Sequence, residues 1–203
     1  MILETVVTSM SPEGIVHVAP MGVIATRETI LLKPFRPSTT LDNVLSTQTA
    51  VVNFTTDVRI FAGCVTGRRD WATVPAEAVH GARLVSCLAH SELQLIEQQE
   101  DPVRPQLLMR RVHDAPHASF EGFNRAQAAV LEAAVLVSRL GMLDPQKIAQ
   151  EIGYLVIAVD KTAGENEMQA WQWLLEAIEV HHPGLLAQSL PSSPLPPRRK
   201  GPP

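Results

Sequence analysis

The first half of the chain alternates apolar and polar residues with the period of two that half-buried strands show. Runs rich in β-branched residues predict strands at 2–9, 14–20, 23–26, 29–35 and 49–56. Two later runs, 83–99 and 104–114, flank a turn at Asp101–Pro105 and predict a long hairpin. Several strands with short connections favour a small barrel.

Two short helices interrupt the predicted strands. Ser38 or Thr39 can cap a helix that runs to about Gln48, and Asp42 stands three residues after Thr39, as in a capping box. Asp57 can cap a second helix that runs to about Cys64.

The pattern changes to that of helices near Phe120. Asn124 is a good N-cap for a helix over 124–141, in which Gly141 stands at the C-terminal end. Asp144–Pro145 opens a helix to about Val159, and Thr162-x-x-Glu165 reads as a capping box for a third helix to about Val180. Short loops between the three helices predict antiparallel packing.

These elements predict an α+β, mainly β, fold. We expect a β-barrel domain at 1–118 and a helical subdomain at 119–183. Residues 184–203 include six prolines within 189–203 and should be a disordered tail, because such a composition cannot build a core.

Composition and charge exclude several classes of function. The net charge of −4 and the 4% of aromatic residues argue against nucleic acid and anionic membranes as partners. The most apolar run, 128–137, contains Glu132 and is too short to span a bilayer. The N-terminus has no signal-peptide pattern, so we expect a cytoplasmic protein. In that compartment, Cys64 and Cys87 are expected as reduced thiols, although one disulfide remains open.

The bend after the fourth predicted strand is a candidate phosphate site. Lys33 and Arg36 bring positive charge to a point where a helix opens with free backbone N–H groups. The hydroxyl and amide donors at the bend are Ser38, Thr39, Thr40 and Asn43. The alternative is a helix cap beside a solvated arginine, and the spacing alone favours that alternative.

The Pro20-Met21-Gly22-Val23 stretch has two interpretations. A proline and a glycine between strands let the backbone approach a flat ligand closely. The alternative is a β-bulge at a barrel corner.

Four other residues carry weaker signals. His113 and His117 would suit a metal on one helix face, but Pro116 lies between them and argues against a helix, so no metal site is predicted. His17 is either a packed strand residue or a ligand contact. Lys161 is either a solvated loop residue or an anion contact.

The order of elements resembles a known group of proteins. The segment SPEGIVHVAPMGVIATRETILLKPFRPSTTLDNVLSTQTAVVNFTTD resembles the flavin reductase-like FMN-binding split barrels, which are relatives of the pyridoxamine-phosphate oxidases. Within that group, NRAQAAVLEAAVLVSRL and DKTAGENEMQAW look like the helical C-terminal part of an uncharacterised family of methanogens and methylotrophs.

The resemblance implies a fold, a cofactor and a set of contacts. It implies a split barrel followed by three helices, and a homodimer with FMN at the subunit interface. It implies flavin-ring contacts from Ala19, Pro20, Met21, Gly22 and Val23. It implies phosphate contacts from Arg36, Ser38, Thr39, Thr40 and Asn43. Asn53 follows on the next strand as part of the pocket rim.

The function expected from this resemblance is an oxidoreductase that passes hydride or electrons between the flavin and a small-molecule substrate. In such sites the flavin carries the redox chemistry, so few conspicuous acids or bases are needed. The family's setting suggests methanopterin-linked one-carbon metabolism or pterin cofactor synthesis. A non-enzymatic flavin- or pterin-binding accessory protein and a structural dimer with a vestigial pocket remain alternatives.

Overall fold

Six strands of the N-terminal part close into an antiparallel barrel. The computed structural model describes residues 1–188, which fall into two units, Met1–Gly122 and a second that begins at Phe123. The strands of the first unit are β1 (Ile2–Met10), β2 (Val16–Ala25), β3 (Thr29–Leu32), β4 (Thr49–Phe54), β5 (Thr73–Pro75), β6 (Ala82–Leu84), β7 (Ala89–Gln99) and β8 (Gln106–Pro116). The barrel order is β1-β2-β3-β8-β7-β4, and β5 pairs with β6 in a separate hairpin.

Two helices belong to this unit. They are α1 (Thr39–Thr47) and α2 (Val58–Val65). Their N-caps are Ser38 and Asp57, whose side chains accept from the backbone N–H groups of Leu41 and Arg59. The predicted short helices are therefore confirmed, although Ser38 rather than Thr39 caps the first, so Asp42 does not complete a capping box.

The barrel interior is filled by the inward face of each strand. Val7, Val52 and Leu93 alternate into it, and α1 adds Leu41 and Val44 to the same core. Each of these side chains is almost completely buried. Burial of a side chain of this size contributes about 1.5–3 kcal/mol, so the barrel and α1 stabilise each other.

The outward face of β1, β4 and β7 is buried too, beneath the chain that contains the β5–β6 hairpin. The buried side chains there are polar. Thr8 donates a hydrogen bond to the carbonyl of Ala82, and the Asn53 Oδ1 accepts from the N–H of Leu84 at 2.8 Å. The Glu92 carboxylate accepts from three consecutive N–H groups, those of 77–79. Side chains of the barrel thus hold the covering segment by its backbone.

The strand β5 was not predicted, and two strand predictions were wrong. The predicted break at Pro20–Gly22 does not occur, because β2 runs unbroken and pairs with β1 in a regular register. A proline is tolerated there since β2 pairs with β3 only at Ile24 and Ala25, which leaves 16–23 with one partner strand among residues 1–188. The single strand predicted at 83–99 is two strands, β6 and β7.

The second unit is a three-helix arrangement. Its helices are α3 (Arg125–Val137), α4 (Pro145–Thr162) and α5 (Glu165–His181). Asn124 and Asp144 are N-caps as predicted. Two details were wrong: Thr162 ends α4 instead of opening α5, and α3 ends well before Gly141. The N–H of Gly164, the N-cap of α5, donates to the Glu167 carboxylate at 2.8 Å.

A short 3-10 helix, Leu185–Gln188, follows α5, so the described structure continues past the predicted boundary at 184. The rest of the predicted tail lies outside the described residues. No helix among residues 1–188 is long and apolar enough to cross a membrane. The α+β architecture, with a barrel followed by three helices, is the predicted fold class and is confirmed.

We expect Asn53→Ala to lower the free energy of unfolding by about 2–4 kcal/mol. The Asn53 Nδ2 donates to the Val6 carbonyl at 3.0 Å and to the Thr8 hydroxyl at 3.1 Å, and its Oδ1 holds β6. Its removal leaves buried polar groups without partners. Urea denaturation measures the loss. Asn166→Ala, at an exposed position, is the control, and an equal effect of the two substitutions would contradict this role.

Candidate functional site

The bend between β3 and α1 gathers positive charge at a helix N-terminus. The Ser38 hydroxyl accepts from the N–H of Leu41 at 3.3 Å, which leaves the N–H groups of Thr39 and Thr40 without a carbonyl partner inside the helix. Such N–H groups, together with the positive end of the helix dipole, favour an anion. The local geometry therefore supports the predicted anion corner.

The tip of the β7–β8 hairpin lies beside this bend. The Arg36 N–H donates to the Val103 carbonyl at 2.9 Å, and the Arg36 guanidinium contacts the Glu100 carboxylate at 2.9 Å. Arg104 lies over the ring of Phe35, with 4.2 Å between its Cζ and the ring centroid. Two strand connections that are far apart in sequence thus bring two arginines to one surface.

The pKa of Asp101, in the same hairpin tip, is lowered by its surroundings. Hydrogen bonds from the backbone of Arg104 and Val103 lower the pKa of Asp101. The charges of Arg36 and Lys33 add to the effect, and desolvation opposes it only in part. The surface around Arg36 and Lys33 therefore favours a negatively charged group, as the ionised form of Asp101 shows.

Thr40 and Asn43 differ from the other predicted phosphate contacts because their side chains are buried, at 2% and 7% exposure. The Asn43 Nδ2 donates to the Ser9 hydroxyl of β1 at 3.1 Å. Asn43 thus fastens α1 to the barrel, and Arg36, Ser38 and Thr39 are left to face the bend.

The predicted ring contacts lie in the middle of β2. Met21 packs against the barrel core and Val23 is fully buried in it. By strand alternation, Pro20 and Gly22 lie on the other face, where a β-carbon on Gly22 would come within 3.0 Å of Ile2. A flat ligand can therefore approach β2 at Pro20 and Gly22, along the backbone edge that has no partner strand among residues 1–188.

The structure does not place Asn53 at the rim of a pocket, and His17 lies on β2. Asn53 is fully buried, and its amide is engaged by β1 and β6. His17 is half-buried on β2, and burial, reinforced by the charge of Arg69, lowers the pKa of its imidazole.

A polar cluster between β7 and β8 contains His113 and His117, for which no metal site was predicted, together with His90 and Glu92, which the sequence pattern did not single out. The His90 Nε2 is 3.0 Å from the Glu92 Oε1, and the His90 Nδ1 is 2.8 Å from the His117 Nε2. His113 is the cross-strand partner of Glu92. The signal in the sequence is the His-x-Glu spacing of 90 and 92, which places both side chains on one strand face.

Glu92 is fully buried and ionised. Burial by itself would raise the pKa of Glu92, but hydrogen bonds from the Glu77 backbone, from His90, and from the Ala78 and Val79 backbone together lower it. The three N–H groups form a small anion-binding nest for the carboxylate.

In the helical unit, Lys161 lines a groove of about 420 Å³ between α3 and α4, with Arg125, Glu132 and Tyr154 among its other lining residues. It is not a loop residue, because α4 extends through Thr162.

The described residues form a barrel unit and a C-terminal helical unit. In the barrel unit, a cationic bend leads into the N-terminus of α1. The chain belongs to the family described as protein of unknown function DUF447: the model of its N-terminal domain matches residues 3–118, and the model of its second part matches 124–176. The predicted family is confirmed.

Three solved structures support the fold. An FMN-bound protein, MM1853 from Methanosarcina mazei, matches with a TM-score of 0.74 and 20% identity over 87% of this chain and 94% of its own. A putative flavin reductase with a split barrel domain from Shewanella frigidimarina matches with a TM-score of 0.51 and 12% identity over 61% and 74%. Nitrilotriacetate monooxygenase component B from Mycobacterium thermoresistibile gives 0.51 and 12% over 58% and 70%.

We expect Glu92→Gln to destabilise the protein most at neutral pH. Because the pKa of Glu92 is lowered in the folded state, its charge stabilises the fold above the ordinary value of 4.5, and this contribution is lost as the pH falls through the folded-state pKa. The stability gap between wild type and variant should therefore narrow on acidification, as urea denaturation at several pH values will measure.

The matched control for this prediction is Glu97→Gln, an exposed carboxylate on the same strand. Its stability gap should stay small at every pH. A gap for Glu92→Gln that stays constant, or widens, toward low pH would contradict the role of the ionised carboxylate.

Proposed function

We propose that this protein is a flavoprotein that binds FMN and acts as an oxidoreductase on a small substrate. The observation that carries the proposal is the likeness to the FMN-bound Methanosarcina protein of the same family over nearly the whole chain. Bound FMN supplies the two-electron chemistry, and the protein supplies binding and orientation.

The donor set of the bend fits the phosphate of FMN. Arg36, the hydroxyls of Ser38 and Thr39, and the first N–H groups of α1 are donors of the kind that a phosphate requires. Thr40 contributes its backbone N–H, and Asn43 contributes by holding the helix in place. Asn53 is left out of the proposed site, because its amide is engaged inside the fold.

Arg36 would have to leave Glu100 to meet a phosphate. Both side chains of that pair are well exposed, at 38% and 66%. Exposed pairs are worth about 0.2–1 kcal/mol, whereas a hydrogen bond to a charged group contributes about 1.5–3 kcal/mol. The exchange therefore favours the phosphate.

The isoalloxazine ring would lie along the backbone edge of β2 at Ala19–Val23. Pro20 and Gly22 present little side chain there, so a planar group can approach the backbone closely. We propose that a second copy of the chain covers the ring in a homodimer. Exposed apolar side chains beside the bend, Phe35 and Val103, support an interface at this surface.

The substrate class that we propose to test first is a pterin of one-carbon metabolism. The resemblance to proteins of methanogens and methylotrophs supports this choice, and the Methanosarcina relative is in accord with it. A flavin- or pterin-binding accessory protein is the second candidate, because the Methanosarcina relative is described by the FMN that it binds and not by a reaction. FMN that is photoreduced on the protein and is not reoxidised by any electron acceptor would favour this second candidate.

We expect Arg36→Ala to weaken FMN binding by about 10- to 150-fold, because a charge-assisted phosphate contact of about 1.5–3 kcal/mol is lost. Riboflavin lacks the phosphate, so its affinity should be unchanged. Fluorescence quenching of each flavin, titrated with the protein, measures both affinities.

Arg27→Ala is the control, because Arg27 is an exposed arginine in the turn between β2 and β3. It should leave both affinities unchanged. An equal loss of FMN and riboflavin in Arg36→Ala would refute the phosphate role. A wild-type protein that binds neither flavin, yet is dimeric by light scattering, would instead favour a structural dimer with a vestigial pocket.

A further inference from the structure

Four ionisable side chains converge between β7, β8 and the loop that follows β5. His90, Glu92 and His113 place one potential ligand atom each within 4.8 Å of one another. The fourth is Glu77, whose Oε2 is 3.7 Å from the His113 Nε2. Two imidazoles and one carboxylate therefore surround one small volume, and the carboxylate of Glu77, whose side chain is 68% exposed, lies at its edge.

His113 has a buried nitrogen without a hydrogen-bond partner among the described residues. Its Nε2 is inaccessible to solvent and lies 3.7 Å from the Glu77 Oε2, beyond hydrogen-bond distance. A buried polar atom without a partner is costly, and an ion that binds to it is one of the few accepted explanations. The strand conformation also explains why His117 does not share this place. His113 pairs with Glu92 and Ala115 pairs with His90, so His113 and His117, which follows the end of β8, lie on opposite sides of His90.

The outer contacts of the cluster are those that metal ligands need. Metal-binding imidazoles are oriented through their second nitrogen, and ligating carboxylates are themselves hydrogen-bonded. The His90 Nδ1 lies 2.8 Å from the His117 Nε2. The Glu92 carboxylate is fixed by the N–H groups of 77–79 at 2.6–3.0 Å. The side chains of His90 and Glu92 are thus oriented by hydrogen bonds on the side away from the proposed ion.

We propose that His90 Nε2, His113 Nε2, Glu92 and Glu77 bind a divalent transition-metal ion of the zinc class. Two imidazoles select such an ion over magnesium or calcium, which prefer oxygen ligands alone. Zinc–ligand bonds of about 2.0–2.2 Å put tetrahedral ligand atoms about 3.2–3.6 Å apart. Among His90, Glu92 and His113 the present separations are at most 4.8 Å, so they need to change by only about an ångström. Glu77 lies 3.7 Å from His113, and its side chain is exposed enough to change rotamer toward the ion.

The proton between His90 and Glu92 has a place to go when the ion enters. A carboxylate only accepts, so we assign the proton of their 3.0 Å contact to the His90 Nε2, which donates to the Glu92 Oε1. With the ion bound, His90 carries its proton on Nδ1 and donates to the His117 Nε2, and His117 carries its own proton on its exposed Nδ1. The ion then takes the lone pairs of the His90 Nε2 and the Glu92 Oε1, and no proton is released overall.

The ion would be structural. Glu77 belongs to the loop between β5 and β6, whereas the other three ligands belong to the barrel strands β7 and β8. One ion would therefore cross-link the covering segment to the barrel wall that it already contacts through Glu92. This role is independent of flavin binding, and its test does not use activity.

The test uses the full-length protein without a histidine tag, stripped with EDTA. Zinc is titrated by isothermal calorimetry, and cobalt is used as a second probe through its visible absorption. We expect about one zinc per chain, a cobalt adduct with the strong bands of tetrahedral coordination, and a higher Tm with zinc. His113→Ala should lower the affinity at least about 100-fold, and His117→Ala about 10- to 100-fold.

His182→Ala is the control, because His182 lies in the helical unit and should leave the zinc affinity unchanged. Circular dichroism in EDTA checks that each variant is folded, and the cobalt spectrum of the wild type does not depend on any variant. Stripped wild type that binds no zinc, a cobalt adduct with only weak octahedral bands, or equal zinc affinity in wild type and His113→Ala would each overturn the proposal.

Discussion

The buried carboxylate of Glu92 is the constraint on which the barrel unit depends. A charged group with no exposed surface must be compensated, and here three backbone N–H groups and an imidazole compensate it. Because those N–H groups belong to 77–79, the need to satisfy one carboxylate fixes the position of the β5–β6 hairpin. Asn53 does the same from β4 through the N–H of Leu84. Polar side chains of the barrel therefore determine what covers its outer face, while apolar packing determines its interior.

The difference between exposed and buried polar groups matters for the two proposed ligand sites, the FMN surface and the metal cluster. The bend at Arg36–Thr39 and the edge of β2 face solvent, and their donors are backbone N–H groups or exposed side chains. They can meet a ligand at little cost. His90 and Glu92 are buried and already hydrogen-bonded, so their cluster suits an ion that stays in place. The same unit can thus hold an exchangeable cofactor at one surface and a resident ion at another.

Local chemistry made most of the fold predictable. Strand alternation, the N-caps Ser38, Asp57 and Asn124, and the hairpin between β7 and β8 all depend on residues that are neighbours in sequence. Errors arose where a neighbour from elsewhere in the chain decided the outcome. Pro20 is expected to break a strand, but β2 pairs only with β1 at that point among residues 1–188, and a proline is tolerated at such an edge. Thr162 has the look of a cap, yet its hydroxyl accepts from the N–H of Ala126 in α3.

The sequence by itself determined the class of fold, the order of elements and the cationic bend at Arg36, because each follows from local pattern and charge. Only the tertiary structure decided which polar residues meet. Asn53 and Asn43 look like free donors in the sequence, and packing turns both into internal cross-links. The side chains of Glu77, His90 and His113 converge because the register of β7 and β8 and the path of the β5–β6 loop bring them together. No spacing along the chain encodes that meeting, since it depends on contacts between segments that are distant in sequence.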